Sequence, residues 1–271
     1  MLSSQEYKEK YGFSRPELMC VCIARELKNY DNETIVVGTG FPLVGTVLGK
    51  LLYAPHLTIL TESGIVDARP KRAPVGISDP CLIPGCAATS SFVDFMGALQ
   101  RGLIKLSILS GAQVDKYGNI NTSVIGNWHT PKVRLTGSGG SNPIATMTRV
   151  IITLPSHEKS RTPERVDFIT SPGYIDGPKG REKYGLPKDT GPLMIISNKC
   201  VLRFDETTKE AYLYSVHPGF TVEDIKEATG WNLKIPSNVK ETSPPTEEEL
   251  KVLREKADPF GMIRIYEGRG Y

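Results

Sequence analysis

One carboxylate in this chain sits where a carboxylate can do chemistry. Glu62 closes an apolar run, Leu57-Thr58-Ile59-Leu60, and is followed by Ser63-Gly64. In open α/β sheets ligands gather beyond the carboxyl ends of strands, so a carboxylate there, beside a glycine, is reachable by substrate. Carboxylates are ionised at neutral pH and act as nucleophiles without a helping base. The same position also suits a surface glutamate that caps the next turn.

Two loops could supply what such a nucleophile needs. Gly38-Thr39-Gly40-Phe41-Pro42 follows the strand-like TIVV run and precedes an apolar helical stretch. Its backbone N–H groups can approach an anion at a helix N-terminus. The dinucleotide fingerprint requires a third glycine where Leu43 stands, so an NAD site is not supported, and no Walker A sequence occurs. Gly137-Ser138-Gly139-Gly140 is a second loop bare of side chains, suited to hold a phosphate or an oxyanion on successive N–H groups. Each loop alone also reads as a tight turn or a crossing. Two together point to an anionic or thioester ligand. Lys159, in His157-Glu158-Lys159, lies just past the run RVIITL and could meet a phosphate there, or be a solvated surface lysine.

Other chemistries find no support. His56, His129, His157 and His217 lack the spacing of a metal pair, so no metal site is expected, and no serine sits in a G-x-S-x-G elbow. His217, in His217-Pro218-Gly219, reads as structural. Cys20, Cys22, Cys81, Cys86 and Cys200 match no zinc pattern and read as reduced, mostly buried thiols. With 33 basic and 30 acidic residues the net charge is +3, which gives a nucleic-acid role no support. No run approaches the ~18 apolar residues of a membrane span. The polar segment Met1–Lys10 has no apolar stretch behind it, so a cytoplasmic location is expected. At 39% hydrophobic and 23% charged residues the chain can bury an ordinary core.

The elements that must position these residues alternate in type. Helices are predicted over 16–27, 43–52, 93–101, from about 142, and over 247–256. Strands are predicted over 33–37, 57–60, 104–109, 133–135, 149–154, 166–169 and 193–196, with a hairpin of 200–205 and 211–215. Short strands alternating with helices predict an α/β fold with a mostly parallel open sheet and flanking helices. The whole chain, 1–271, reads as one domain with a C-terminal arm from about 240. Two long segments, Asp67–Thr89 and Thr170–Asp189, read as binding or partner surfaces.

Taken in order, the motifs resemble one family. Val37 to Pro42, Glu62-Ser63-Gly64, Gly111 to Asp115 with Gly118 to Asn121, Gly137 to Gly140, His157-Glu158-Lys159, Val166 to Gly173 and His217-Pro218-Gly219 are similar to the β subunit of class I coenzyme A transferases (the NagB/RpiA/CoA transferase fold type), most closely the glutaconate type. The resemblance runs from about residue 16 to about residue 262. It implies that Glu62 forms a glutamyl-CoA thioester in a ping-pong exchange between an acyl-CoA and a carboxylic acid. It further implies that Gly38, Thr39, Gly40 and Phe41, with Gly137, Ser138, Gly139, Gly140 and Lys159, lie near CoA. CoA is then a substrate and no cofactor is held permanently. An α subunit is implied as partner, the heterodimers assembling to a heterotetramer or heterooctamer. The same family includes steroid ring-opening hydrolases, in which the E-S-G motif looks lost. It is intact here, which favours transfer over hydrolysis and over a non-catalytic partner role. Ser141 and Asn142 stand where many class I members have Ala and Asp, which looks like the glutaconate type.

Overall fold

The computed structural model describes residues 2–72 and 74–267; residues 1, 73 and 268–271, with Ala73 inside the long Asp67–Thr89 segment, lie outside the description. The chain forms two compact units, Met1–Ile108 with Pro244–Tyr271, and Leu109–Ser243.

The first unit opens with helices α1 (Ser4–Tyr11) and α2 (Arg15–Leu27). The second starts at a capping box: Ser14 Oγ accepts from Glu17 N, the Glu17 carboxylate accepts from Ser14 N, and Pro16 presets the first turn. Then follow β1 (Thr34–Val37), α3 (Phe41–Leu52), β2 (Thr58–Leu60), β3 (Ile65–Val66), β4 (Ala88–Thr89), α4 (Phe92–Gln100) and β5 (Ile104–Ser110). β1 lies parallel to both β2 and β5, while β3 and β4 continue the sheet antiparallel beyond β2. Helix α3 packs on α2 through Gly45 and Gly49. A Cβ on Gly45 would lie 3.0 Å from the Cys20 carbonyl oxygen, and one on Gly49 2.8 Å from Leu27 Cδ1. The missing side chains therefore set how closely the two buried faces approach.

The second unit contains two small hairpins, β6 (Gln113–Val114) with β7 (Ile120–Asn121) and β8 (Val124–Gly126) with β9 (Pro131–Arg134), then α5 (Ser141–Met147). β10 (Arg149–Leu154) is the predicted RVIITL strand. After α6 (Gly180–Lys183) it is joined in parallel by β11 (Gly191–Ser197). β12 (Cys200–Phe204) and β13 (Ala211–Val216) form the predicted hairpin antiparallel to β11. Helix α7 (Val222–Ala228) leads to β14 (Lys240–Glu241), parallel to β13. Ile152, Leu154, Ile195, Leu202, Leu213, Ile225 and Trp231 share one buried cluster.

Helices α8 (Glu247–Val252) and α9 (Arg264–Glu267) return to the first unit. Arg25 holds Glu249 with two hydrogen bonds of 2.8 Å, and Arg254 holds Glu17 at 2.6 and 3.1 Å, in the paired geometry that guanidinium and carboxylate favour. The C-terminal arm is thereby tied to α2.

The expected α/β class with parallel strands and flanking helices is observed. One predicted strand is not. Val166–Ile169 pairs with no strand, because side chains take its backbone groups: Val166 N donates to Asp115 Oδ2 and Asp167 N to Gln113 Oε1. The helix predicted over 247–256 is α-helical to Val252 and continues as a wider π turn, Leu253–Ala257.

Candidate active site

Glu62 occupies the tip of a tight hairpin. Thr61 N donates to Ile65 O at 3.0 Å and Gly64 N to Thr61 O at 2.9 Å, so Glu62, Ser63 and Gly64 form the loop between β2 and β3. The third residue of such a loop takes a left-handed conformation, and Gly64 has φ 84°. A Cβ at Gly64 would also overlap the Ser90 carbonyl, whose residue donates its N–H to Gly64 O. The E-S-G sequence is thus the chemistry of the turn as well as of the candidate nucleophile. Thr61 and Ser63, absent from the candidates read in the sequence, fix it further. Their hydroxyls bond at 2.8 Å, Thr61 Oγ1 accepts from Ile65 N, and Ser63 Oγ donates to Ile77 O at 2.7 Å. The hydroxyl residues flanking Glu62 in T-E-S are the signal that points to them. Glu62 is half-buried and opens no helix.

Within the long Asp67–Thr89 segment, Asp79 ties described residues together. Asp79 receives both Arg72 guanidinium nitrogens at 2.8 and 2.7 Å and the N–H groups of Val75 and Cys81. These donors, Arg72 first, hold its carboxyl below the usual carboxylate range.

Strands β1 and β2 are parallel neighbours, with Val36 paired to Leu60, so the turn that starts at Gly38 and the loop that carries Glu62 leave adjacent strands at the same end of the sheet. Gly40 starts α3. Its carbonyl accepts from Leu43 N and Val44 N, its φ is 78°, and a Cβ there would overlap the Tyr266 hydroxyl carried by α9. No side chain caps this helix. The Phe41 ring is buried and meets the Tyr266 ring edge-on, with centroids 5.2 Å apart, so Phe41 offers a ligand its backbone and not its ring.

In the second unit, Gly137 to Gly140 link β9 to α5. The loop is anchored from below: Gly137 N donates to Thr122 O at 2.9 Å, and Thr122 Oγ1 donates to Gly137 O at 2.8 Å. Gly137 (φ 91°) and Gly139 (φ 51°) are left-handed, and a Cβ on Gly137 would meet nothing within 4 Å, so the space above it is open. Ser138 N–H and O–H groups belong to the same turn, with Ser138 O accepting from Ser141 N. Ser141 and Asn142 hook the loop to a neighbouring segment, Ser141 Oγ to Ser171 Oγ and Asn142 Nδ2 to Thr170 O, both at 2.8 Å. Lys159 is exposed on a turn past the end of β10, within which Glu158 O accepts from Arg161 N and Thr162 N.

His157 is the floor of that turn. It is buried, its ring lies between Ser197 Oγ at 3.0 Å and Thr229 Oγ1 at 2.9 Å, and burial lowers its pKa to about 3. His217, between Thr242 Oγ1 and Ser197 O, is likewise buried and lowered to about 4. Both are structural. Unfolding exposes two rings that titrate near pH 6.5. The folded pKa values lie below that, so the unfolded chain takes up the extra protons, and stability present above pH 6.5 is lost as pH falls toward 4. Between pH 7 and pH 5 the pair is expected to cost about 4 kcal/mol. Urea unfolding at the two pH values checks this, and equal midpoints would contradict it.

Cys20, Cys22 and Cys200 are buried free thiols, and burial pushes Cys22 and Cys200 up to about 12. Among the described residues no cluster of His, Cys, Asp or Glu could hold a metal ion, and no helix is long and apolar enough to cross a membrane.

A half-buried carboxylate on a rigid turn beside an uncapped helix start is suited to covalent acyl chemistry, with N–H donors for the oxyanion. Known proteins share this architecture. The coenzyme A transferase family profile matches residues 17–228. The chain is 40% identical over 253 residues to the B-type subunit of glutaconate CoA-transferase from Acidaminococcus fermentans, covering 92% of this chain and 94% of that one. It is 38% identical over 248 residues to the B-type subunit of 3-oxoadipate CoA-transferase from Pseudomonas knackmussii, covering 90% and 93%. The crystal structure of the Acidaminococcus fermentans glutaconate coenzyme A-transferase superposes with a TM-score of 0.86 over 93% of this chain and 98% of that one, at 38% identity. Sequence and fold therefore share an origin with these enzymes: this chain is a CoA-transferase and belongs to the coenzyme A transferase family.

Proposed function

We propose that this chain is the nucleophile-bearing β subunit of a two-subunit CoA-transferase that works through a glutamyl-CoA thioester on Glu62. The observation that carries the reading is the placement of Glu62 on a pinned hairpin loop, at a strand end neighbouring the Gly38–Gly40 turn. Glu62 attacks the carbonyl carbon of the donor thioester. The C–S bond breaks, giving a mixed anhydride and CoA thiolate. The thiolate attacks the Glu62 carbonyl, a new C–S bond forms, and the donor leaves as a carboxylate. An acceptor carboxylate runs both steps in reverse. The thioester is conserved throughout, so the exchange needs no external energy source. Each step develops an oxyanion, which calls for N–H donors such as those of Gly38–Phe41 rather than a general base. Lys159 meets the charged end of CoA.

An α subunit completes the enzyme and CoA passes through as substrate. The relatives named for glutaconate and 3-oxoadipate point to short dicarboxylic acyl groups.

The test is chemical trapping in the assembled two-subunit protein. With acyl-CoA present, hydroxylamine is expected to convert Glu62 to its hydroxamate, read by peptide mass spectrometry, and without acyl-CoA it leaves Glu62 unchanged. Absence of the modification, or its appearance on another residue, would end the reading. Free CoA released without any acceptor acid would assign hydrolysis instead.

A further inference from the structure

The second unit displays a rigid aromatic face that the catalytic reading leaves unused. Trp128 and Phe168 stack with centroids 4.7 Å apart at 27°, yet Trp128 is 46% and Phe168 37% exposed. The Arg134 guanidinium lies over the Trp128 ring at 4.7 Å and is held there by a 2.8 Å bond from Nη2 to Trp128 O. The pair is braced from behind. Asp167, beside Phe168, accepts from Gly126 N at 2.8 Å and from Gln113 Nε2 at 3.0 Å, fixing the base of the β8–β9 hairpin that carries Trp128. Large aromatic side chains immobilised but left in water mark a place where something docks.

Position and charge identify the occupant. β9 ends at Arg134, and Gly137 follows three residues later. Gln113 Nε2 also reaches Ser160 O, next to Lys159. The strand that bears Arg134 thus runs on toward the glycine loop, and Gln113 ties the base of the face to the turn that carries Lys159. Its exposed cations are Arg134 and Lys132, with Lys159 beyond, while the nearby Glu158 is engaged by Arg161 at 3.2 Å. A flat ring joined to phosphates fits a stacked aromatic pair edged by cations.

We propose that the Trp128–Phe168 face receives the adenine of the 3′-phospho-ADP end of coenzyme A, with Arg134 and Lys132 meeting its phosphates. This rests on the CoA-transferase reading and adds a recognition site for the nucleotide to it. Pantetheine thioesters carry the same acyl group and thiol without the nucleotide. In the assembled two-subunit enzyme, Trp128→Ala is expected to raise KM for acyl-CoA about tenfold more than KM for the matching acyl-pantetheine, the scale of one stacked ring, and Trp128→Phe to restore most of the difference. Equal losses on both substrates would overturn the proposal, as would dissociation of the subunits on gel filtration, which would make the face a subunit contact. The two readings fail separately: no hydroxamate on Glu62 in the unaltered enzyme ends the catalytic one, whereas trapping with an unchanged KM ratio in Trp128→Ala ends only this one.

Discussion

Glu62→Ala is expected to lower CoA transfer by at least about a thousand-fold, roughly 4 kcal/mol of barrier. On the proposed mechanism the loss follows from removing the carboxylate that holds CoA between donor and acceptor. The loop that presents it is held by Thr61, Ser63, Gly64 and their bonds to Ile65, Ile77 and Ser90. Glu62→Asp is the sharper experiment. It keeps the carboxylate but withdraws it by one methylene, and the pinned loop cannot follow. A misplacement of about 1 Å costs about a hundred-fold, so kcat is expected to fall by that factor or more. Full transfer by the aspartate variant, measured with the α subunit present, would remove Glu62 from the mechanism.

Asn119→Ala is expected to be the costliest single change to the fold. Asn119 is fully buried in the β6–β7 turn. Its Nδ2 donates to Asp115 Oδ2 at 2.9 Å and to Ile175 O at 2.8 Å, and its Oδ1 accepts from Gly173 N at 2.9 Å and Ile175 N at 3.1 Å. Ile175 is β-branched yet has φ 62°, a conformation it holds only because both its backbone groups are gripped. Asp115 is buried as well. Burial raises its pKa, and bonds from Asn119, Tyr117 and Val166 pull the other way. Alanine strands these groups together. At about 1–3 kcal/mol for each unsatisfied buried group, partly relieved as the Thr170–Asp189 segment relaxes, the loss is about 4 kcal/mol. For a chain of this size that lowers the melting temperature by roughly 10 °C, which calorimetry would measure. A shift of only a degree or two would show that the segment repacks without the amide.

This network also marks where sequence reading stops. Local signals are readable: Ser14 and Glu17 frame α2, RVIITL is β10, and Glu62-Ser63-Gly64 spells the turn that presents Glu62. Val166–Ile169 has the composition of a strand but not its partners, because Asp115 and Gln113, about fifty residues earlier, take its N–H groups. His157 and His217 give no sign of their burial for the same reason, since the hydroxyls that hold them, on Ser197, Thr229 and Thr242, are distant in sequence. Phe41 belongs to the turn that the resemblance places beside CoA, and nothing in its neighbours tells that its ring packs against Tyr266, more than two hundred residues later. Composition and periodicity report what a segment can do alone, and these residues are defined by segments they meet.

The return of the C-terminal arm has a consequence for the order in which the protein matures. The second unit, Leu109–Ser243, is continuous in sequence and can assemble as soon as it is made. The first unit cannot. Arg25 waits for Glu249, Glu17 waits for Arg254, and the turn at Gly40 waits for Tyr266 to close over it. The half that carries Glu62 is therefore finished after the half that carries the glycine loop, although its residues leave the ribosome first. A chain halted before α8 would present a complete second unit beside a Gly40 turn that Tyr266 does not yet cover, so the proposed nucleophile's unit is completed only after Tyr266 has been made.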